Sequence, residues 1–583
     1  MTSRAPDQVL VQLSEEFFQV MNSTDPFSAT MMGVPGFDSL VSDPSRTGAA
    51  INARRFAAIE ERLTTIDEPS LNESDRTNHS VLGRLAWGAR SDLENGLWEG
   101  NASAAGYVSP QALVFQAVPT APLGNPAAVE GYLQRLSLLS GYFDAVIERY
   151  RQAAADGRFS TSSGVLQALD QLDGHLGQPL QSDLLVQVAL PEDGHQDRWR
   201  AAIAELVESQ VRPAIGRLRV ALQEEMLPMA RPDGRVGISF IPGGEQGYRD
   251  AVRRNTTTDL SPAEIHQIGL ERIASLEGEW AELGGRVLGT TDLGEIRARL
   301  RDDPALRFSD NKQIVQVITA ALARAEAVRD QWFPQMDLPA CVVEEISPIE
   351  AHNSALAYYR PPTPDGGRPG AHCVLTTDPA ERFLYEYEAL AFHESSPGHH
   401  LQITSAQALT GLPRYRRHLD AEVCGYIEGW GLYCERLADE MGLYTSDLQR
   451  IGMLSFDALR ACRLVVDTGM HHLEWSRQQA IDYMWNNTAT TMSNVTNEIQ
   501  RYISWPGQAL AYMIGCREIR RLRRLAEERL GTRFDVRAFH GAVLSQAAVP
   551  LAVLEQIVLR WIDSESLRAP IPPGGRDSAA ANR

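Results

Sequence analysis

The sequence predicts a mainly α protein, a large helical body with one small β-sheet. Three observations predict it. Apolar residues recur at three- and four-residue spacing through most of the 583 residues, the period of one helix face. Short β-branched or aromatic segments gather in one place only, between about 340 and 377, separated by Pro/Gly turns. Hydrophobic residues make up 43% and aromatic residues 7%, enough to bury a sizeable core.

The elements follow in order. Residues 9–21, 51–66 and 74–97 each place apolar side chains on one helical face, with loops marked by Pro35-Gly36-Phe37 and Asp43-Pro44-Ser45. A longer helix over 126–155 stops at Asp156-Gly157. Gly164, in Ser-Ser-Gly-Val, is a weak turn signal. Residues 196–226 form another helix that Pro213 is expected to kink or break, because proline lacks the donor the helix needs. Ser261-Pro262-Ala263-Glu264 opens a helix to about 283, with a capping serine, proline in the first turn and glutamate three residues on. The next covers 311–332. Strands are expected at 340–346, 355–359 and 372–377, and this sheet leads directly into the helix 381–393. A free strand edge there could hydrogen-bond an extended peptide; the plainer role is core packing. Helices then follow at 402–410, 421–441, 447–467, 477–485, 494–502, 510–530 and 534–545. The division expected is an N-terminal helical region 1–235, a second region 236–569 holding the sheet, and a disordered Pro/Gly/Ala/Arg-rich tail 570–583.

Charge and cysteine usage exclude several roles. A net charge of −20 and a pI near 5.2 argue against nucleic acid as a partner. Lysine occurs once, at Lys312, so arginine carries nearly all the positive charge. The six cysteines form no Cys-x-x-Cys pair, which fits buried thiols in a reducing compartment. Residues 1–12 lack the basic and apolar regions of a signal peptide, and no run of about 18 apolar residues predicts a membrane span. The expectation is a cytoplasmic protein with no membrane partner; the sequence leaves its oligomeric state open.

The chemistry concentrates in His393-Glu394-Ser395-Ser396-Pro397-Gly398-His399-His400. A catalytic Zn²⁺ site takes three N/O ligands plus water, with a carboxylate beside that water. His-Glu-x-x-His does this on one helix, but here position five is Pro397. On an unbroken helix neither His399 nor His400 could share a zinc shell of about 2 Å with His393. Pro397-Gly398 is therefore expected to make a two-residue bulge that swings a histidine back, His399 first and His400 as the alternative. The bland reading is a polar helix end. Glu428 lies 29 residues beyond His399 (428 − 399), in Glu428-Gly429-Trp430-Gly431, and is the candidate third ligand. The flanking glycines suggest close packing there. Glu435, two turns on, is an outer-shell option or a surface charge.

Other groups are weighed against ordinary structural roles. His471, in Asp467-Thr468-Gly469-Met470-His471-His472, could donate to an oxyanion or simply cap a helix. Arg501-Tyr502 offers a carboxylate grip and an oxyanion donor, as does Tyr512 more weakly; most such pairs are structural. Tyr359, in Tyr358-Tyr359-Arg360, could line a substrate groove or pack the core.

These motifs together resemble a family. His393-Glu394-x-x-Pro397-Gly398-His399-His400-Leu401-Gln402, Glu428-Gly429-Trp430-x-Leu432-Tyr433-x-Glu435, Asp467-Thr468-Gly469-x-His471 and Arg501-Tyr502-x-x-x-Pro506-Gly507-Gln508-Ala509 resemble, in order and spacing, the bacterial domain of unknown function 885. The likeness extends to Phe539-His540-x-x-Val543-Leu544. That family is similar to mostly helical zinc peptidases such as the thimet oligopeptidases and Taq-type carboxypeptidases. The resemblance implies a zincin-like helical body with a central cleft and a gluzincin-like site. His393, His399 and Glu428 would hold Zn²⁺, with Glu394 as base and His471, Tyr502 and Tyr512 assisting. The Pro-Gly motif departs from the usual zincin signature. Met513 stands where a lysine is expected in relatives.

The function expected is a zinc-dependent metallopeptidase cleaving short peptides. One alternative is a hydrolase of a specialised amide or N–N-linked metabolite. Another is a metal-free binding protein on the same fold.

Overall fold

The structure is a computed structural model that describes residues 7–346, 355–363, 367–419 and 421–567. The expected tail 570–583 lies outside the described residues. The mainly helical architecture with one small sheet is as expected.

The elements that build the functional region are α1 (Gly244–Thr256), α2 (Pro262–Leu288), α3 (Asn311–Trp332), β1 (Cys341–Glu345), β2 (Ala357–Arg360), β3 (Gly370–Val374), α4 (Tyr387–Glu394), α5 (His399–Ala408), α6 (Cys424–Glu440), α7 (Asp447–His471), α8 (Met492–Ser504) and α9 (Ala511–Leu530). Helix α2 starts as the sequence dictates. The Ser261 side chain accepts from the Glu264 N–H and the Glu264 carboxylate accepts from the Ser261 N–H, so both exposed donors are answered.

Upstream, Pro126–Ala155 is one continuous amphipathic helix. The break expected at Pro213 is absorbed instead. A wide π-helical turn at Val207–Val211 precedes Arg212–Ala221, which lets the proline ring pass without ending the helix. Gly164 is not a turn: it sits inside the helix Ser162–Gly177, with its N–H on Thr161 Oγ1 at 3.3 Å.

The sheet has the order β1-β3-β2. Strand β3 is buried along its whole length and pairs parallel with β1, Cys341 opposite Gly370, and antiparallel with β2, Ala357 opposite Val374. The sheet packs beside α4 through β2, as the sequence order suggested, and His372 on β3 meets Ser395 just past that helix at 3.0 Å.

Helix α7 is the centre of the molecule. Every residue from Ile451 to His471 is buried, and the helix packs against α2, α4, α6, α8 and α9. A helix apolar on one face alone would not be placed so; α7 instead carries Asp457, Arg460, Arg463 and Asp467 inward, each answered by a neighbour or a ring. Helices α6 and α9 meet backbone to backbone: a Cβ on Gly429 would stand 2.5 Å from Gly515 Cα.

One apolar core joins both ends of the chain, from Leu10, Phe17 and Phe56 to Ile519, Leu554 and Ile562. A second core is local to residues 27–226. Among the described residues no helix is long and apolar enough to cross a membrane.

Candidate metal centre

Helix α4 ends at Glu394 because Ser395 leaves helical geometry, with φ −108° and ψ −127°. The segment Ser395-Ser396-Pro397-Gly398 then turns the chain, and α5 begins at His399. The Ser396–Pro397 peptide is cis. The sequence predicted a two-residue bulge at Pro397-Gly398 that swings a histidine back; the structure swings it back with a four-residue connection between two helices. At Gly398 a Cβ would overlap the His393 carbonyl, so only glycine lets the connection fold back this tightly. Helix α6 fixes the turn from the other side. Trp430 Nε1–H donates to the Pro397 carbonyl at 3.0 Å, and the Cys434 thiol donates to the same oxygen at 3.2 Å.

This fold-back brings His393, His399 and Glu428 together. One ligand atom from each lies within 4.8 Å of the others. His393 Nε2 and His399 Nε2 each stand 3.5 Å from Glu428 Oε2, and the two rings meet edge to face at 4.8 Å between centroids. Gly431 makes room, since a Cβ there would stand 2.7 Å from His393 Nε2. Two imidazole nitrogens and one carboxylate oxygen are a donor set that suits Zn²⁺.

An outer contact orients the first histidine. His393 Nδ1–H donates to Glu435 Oε1 at 2.8 Å, which leaves Nε2 as the free donor atom facing Glu428. Glu435 is therefore not a surface charge; it is almost fully buried. Burial opposes the His393 cation, but Glu428 and Glu435 outweigh it and push the imidazole up to about 9. Burial likewise opposes the Glu428 carboxylate, yet His393 and His399 hold its pKa well below the usual range. In Glu394, burial wins and raises the carboxyl, against the pull of His393 and His399.

His400, the alternative ligand, points elsewhere. Its Nδ1 meets the Tyr359 hydroxyl at 2.9 Å and its Nε2 meets the Pro339 carbonyl at 2.9 Å, so both ring nitrogens are taken. The same contact engages Tyr359, whose hydroxyl anchors His400 to the sheet. His471 also departs from its expected role. It is buried at the end of α7, its Nδ1 accepts from the Ile238 N–H at 3.1 Å, and its Nε2–H donates to the Tyr502 carbonyl at 3.0 Å. Neither nitrogen is left for a substrate oxygen. Tyr502 is locked as well. Its hydroxyl donates to Glu498 and accepts from Arg463 Nε at 2.7 Å.

Tyr512 stands at the cluster, with Arg501 behind it. The Tyr512 ring lies on His393 at 6.4 Å between centroids and 21° between planes. Its hydroxyl accepts from Arg501 Nη2 at 3.0 Å, so its own proton is free to be donated. Burial pushes that hydroxyl up to about 12, which keeps it protonated. Arg501 also donates to Gln508 Oε1 at 2.6 Å. Arg460 and Arg463 on α7 flank the same ring, and neither was singled out from sequence. The signal was there: Asp457, Arg460, Arg463 and Asp467 recur at three- and four-residue spacing inside an otherwise apolar run.

A family model described as "Bacterial protein of unknown function (DUF885)" matches residues 26–558. Among solved structures, "the putative lipoprotein from Colwellia psychrerythraea" is similar at a TM-score of 0.85 and 27% identity, over 95% of this chain and 99% of that one. "A putative lipoprotein of unknown function from Shewanella oneidensis" has the same fold at a TM-score of 0.71 and 19% identity, over 94% of this chain and 99% of that one. No curated protein matches. The cytoplasmic expectation finds no support in these two neighbours.

Proposed function

We propose that this chain, which belongs to the DUF885 family of bacterial proteins of unknown function, is a zinc-dependent hydrolase that cleaves amide bonds of short peptides. The observation that carries the reading is the convergence of His393, His399 and Glu428 with the half-buried carboxyl of Glu394, which feels both histidines. A zinc ion held by His393 Nε2, His399 Nε2 and a Glu428 oxygen would supply an acidified water and polarise the scissile carbonyl.

The protein's own groups supply the rest. The Glu394 carboxylate, made more basic by burial, accepts a proton from the attacking water as the new C–O bond forms. It returns that proton to the nitrogen as the C–N bond breaks, leaving an acid and an amine. The Tyr512 hydroxyl, protonated and oriented by Arg501, donates to the oxygen that gains charge on the way. Glu435 holds His393 in one tautomer throughout. His393 and His399 are almost fully buried, which favours a short or unfolded chain as substrate.

The test is elemental mass spectrometry of purified wild type beside His393→Ala, followed by a peptide-library screen. About one zinc per chain is expected, absent from the mutant. Glu394→Gln is expected to keep the zinc and lose about 10²–10⁴-fold in hydrolysis. A wild type that holds no zinc even after zinc is added back sinks the reading.

A further inference from the structure

Three guanidinium groups surround one tyrosine beside the cluster. Arg463 lies 4.2 Å from the Tyr512 ring centroid, and Arg460 and Arg501 each lie 5.8 Å from it. Two carboxylates stand within 4 Å of them, and Glu386 and Glu394 face Arg460 from further off. Glu498 pairs with Arg463 Nη2 at 2.6 Å and stands 3.6 Å from Arg501 Nη1; Glu435 stands 3.9 Å from Arg460 Nη2 and is already engaged by His393. Donors are left over. Arg460 Nε, Arg460 Nη1 and Arg463 Nη1 are buried and have no acceptor among the described residues.

Buried guanidinium donors without acceptors are costly, and aromatic faces repay only part of that cost. The guanidinium donors on the Tyr512 side of the cluster outnumber the acceptors that reach them. Arg501 is the member that reaches outward, with 28% of its side chain exposed, and it donates to the Tyr512 hydroxyl at 3.0 Å. Its planar fork matches a carboxylate. We propose that the substrate carries a free carboxylate beside the scissile amide, received by Arg501 with Arg460 and Arg463 behind it. The choice of a carboxylate rests on the amide-hydrolase reading; the unanswered arginine donors stand without it.

Binding to protein stripped of metal by a chelator tests this without activity. The probes are N-acetyl-phenylalanine, its α-amide, and N-acetyl-aspartic acid α-amide, whose carboxylate is on the side chain. Calorimetry is expected to show wild type binding one of the two acids at least about tenfold tighter than the neutral amide. The preferred acid tells a chain-end carboxylate from a side-chain one. Arg501→Gln is expected to erase the preference, and Arg501→Lys, which keeps charge but loses the fork, to retain part of it. Equal binding of acids and amide by wild type, or no binding of any at millimolar concentration, overturns the proposal. So does a preference that appears only when zinc is restored, since the metal is then the receiver. Failure of the zinc-loaded protein to cleave any peptide counts against the hydrolase reading and leaves the binding result standing.

Discussion

Two tyrosines ten residues apart, Tyr502 and Tyr512, show how little a residue type says before its hydrogen bonds are known. Tyr502 uses both capacities of its hydroxyl on Glu498 and Arg463. Tyr512 has its acceptor side filled by Arg501 and its proton free. Tyr512→Phe is therefore expected to lower kcat by about 10²–10³-fold with KM little changed. Tyr502→Phe should act on stability, at a cost of about 1–3 kcal/mol for the buried Arg463 donor it strands. Steady-state kinetics beside thermal melts separate the two. Glu435→Gln keeps the shape of the His393 contact but removes its charge, and zinc affinity measured against a chelator should fall about 10–100-fold. Glu428 was legible in the sequence because glycines on both sides of a tryptophan announced close packing. The roles of His471 and Tyr359 were not, because they depend on the Ile238 and Tyr502 main chain and on His400, each brought up by folding.

At the scale of elements, the sequence is most readable where local signals agree with tertiary needs. The boundaries of α3 and of Pro126–Ala155 are those the apolar period and flanking polar residues predict. The sheet was legible from β-branched content, although β3 begins earlier than its apolar run because Gly370 and Ala371 pair with β1 and β2. Helices α1, Leu293–Asp302 and Leu551–Leu567 were passed over. The first builds its buried face from Gly244, Gly247, Tyr248, Ala251 and Val252 amid polar and charged residues and the second is rich in charge, so neither stands out as an apolar run; both are held by packing on their neighbours. The fold-back between α4 and α5 was half legible: Pro-Gly signalled a break, but the second helix was expected to begin three residues later than it does. Close helix approach supplies a prediction here. Gly431→Ala puts a methyl 2.7 Å from His393 Nε2 and must push that ring aside. Zinc content should fall while the helical signal in circular dichroism stays as in wild type.

Across the whole molecule, stability is tied to pH by groups far from solvent. Glu386 is 3% exposed, its Oε1 has no partner among the described residues, and burial raises its carboxyl from 4.5 to about 8 against the pull of Arg460. An acid raised in the folded state is fully compatible with folding below its unfolded value. That contribution is lost as pH rises through the folded one. Glu386→Gln, which does not titrate, should match wild type in melting temperature near pH 4 and exceed it by a few degrees near pH 9. The contact of Gly429 with Gly515 bears on a different property. Where side chains interdigitate, a helix pair can drift as rotamers hop, but two backbones in contact have no torsion left to absorb movement. Glu428 precedes one glycine by a single residue and Tyr512 precedes the other by one turn. The separation between metal-facing carboxylate and proton donor is thus set by main-chain hardness, and it should stay constant with temperature while the surrounding helices breathe.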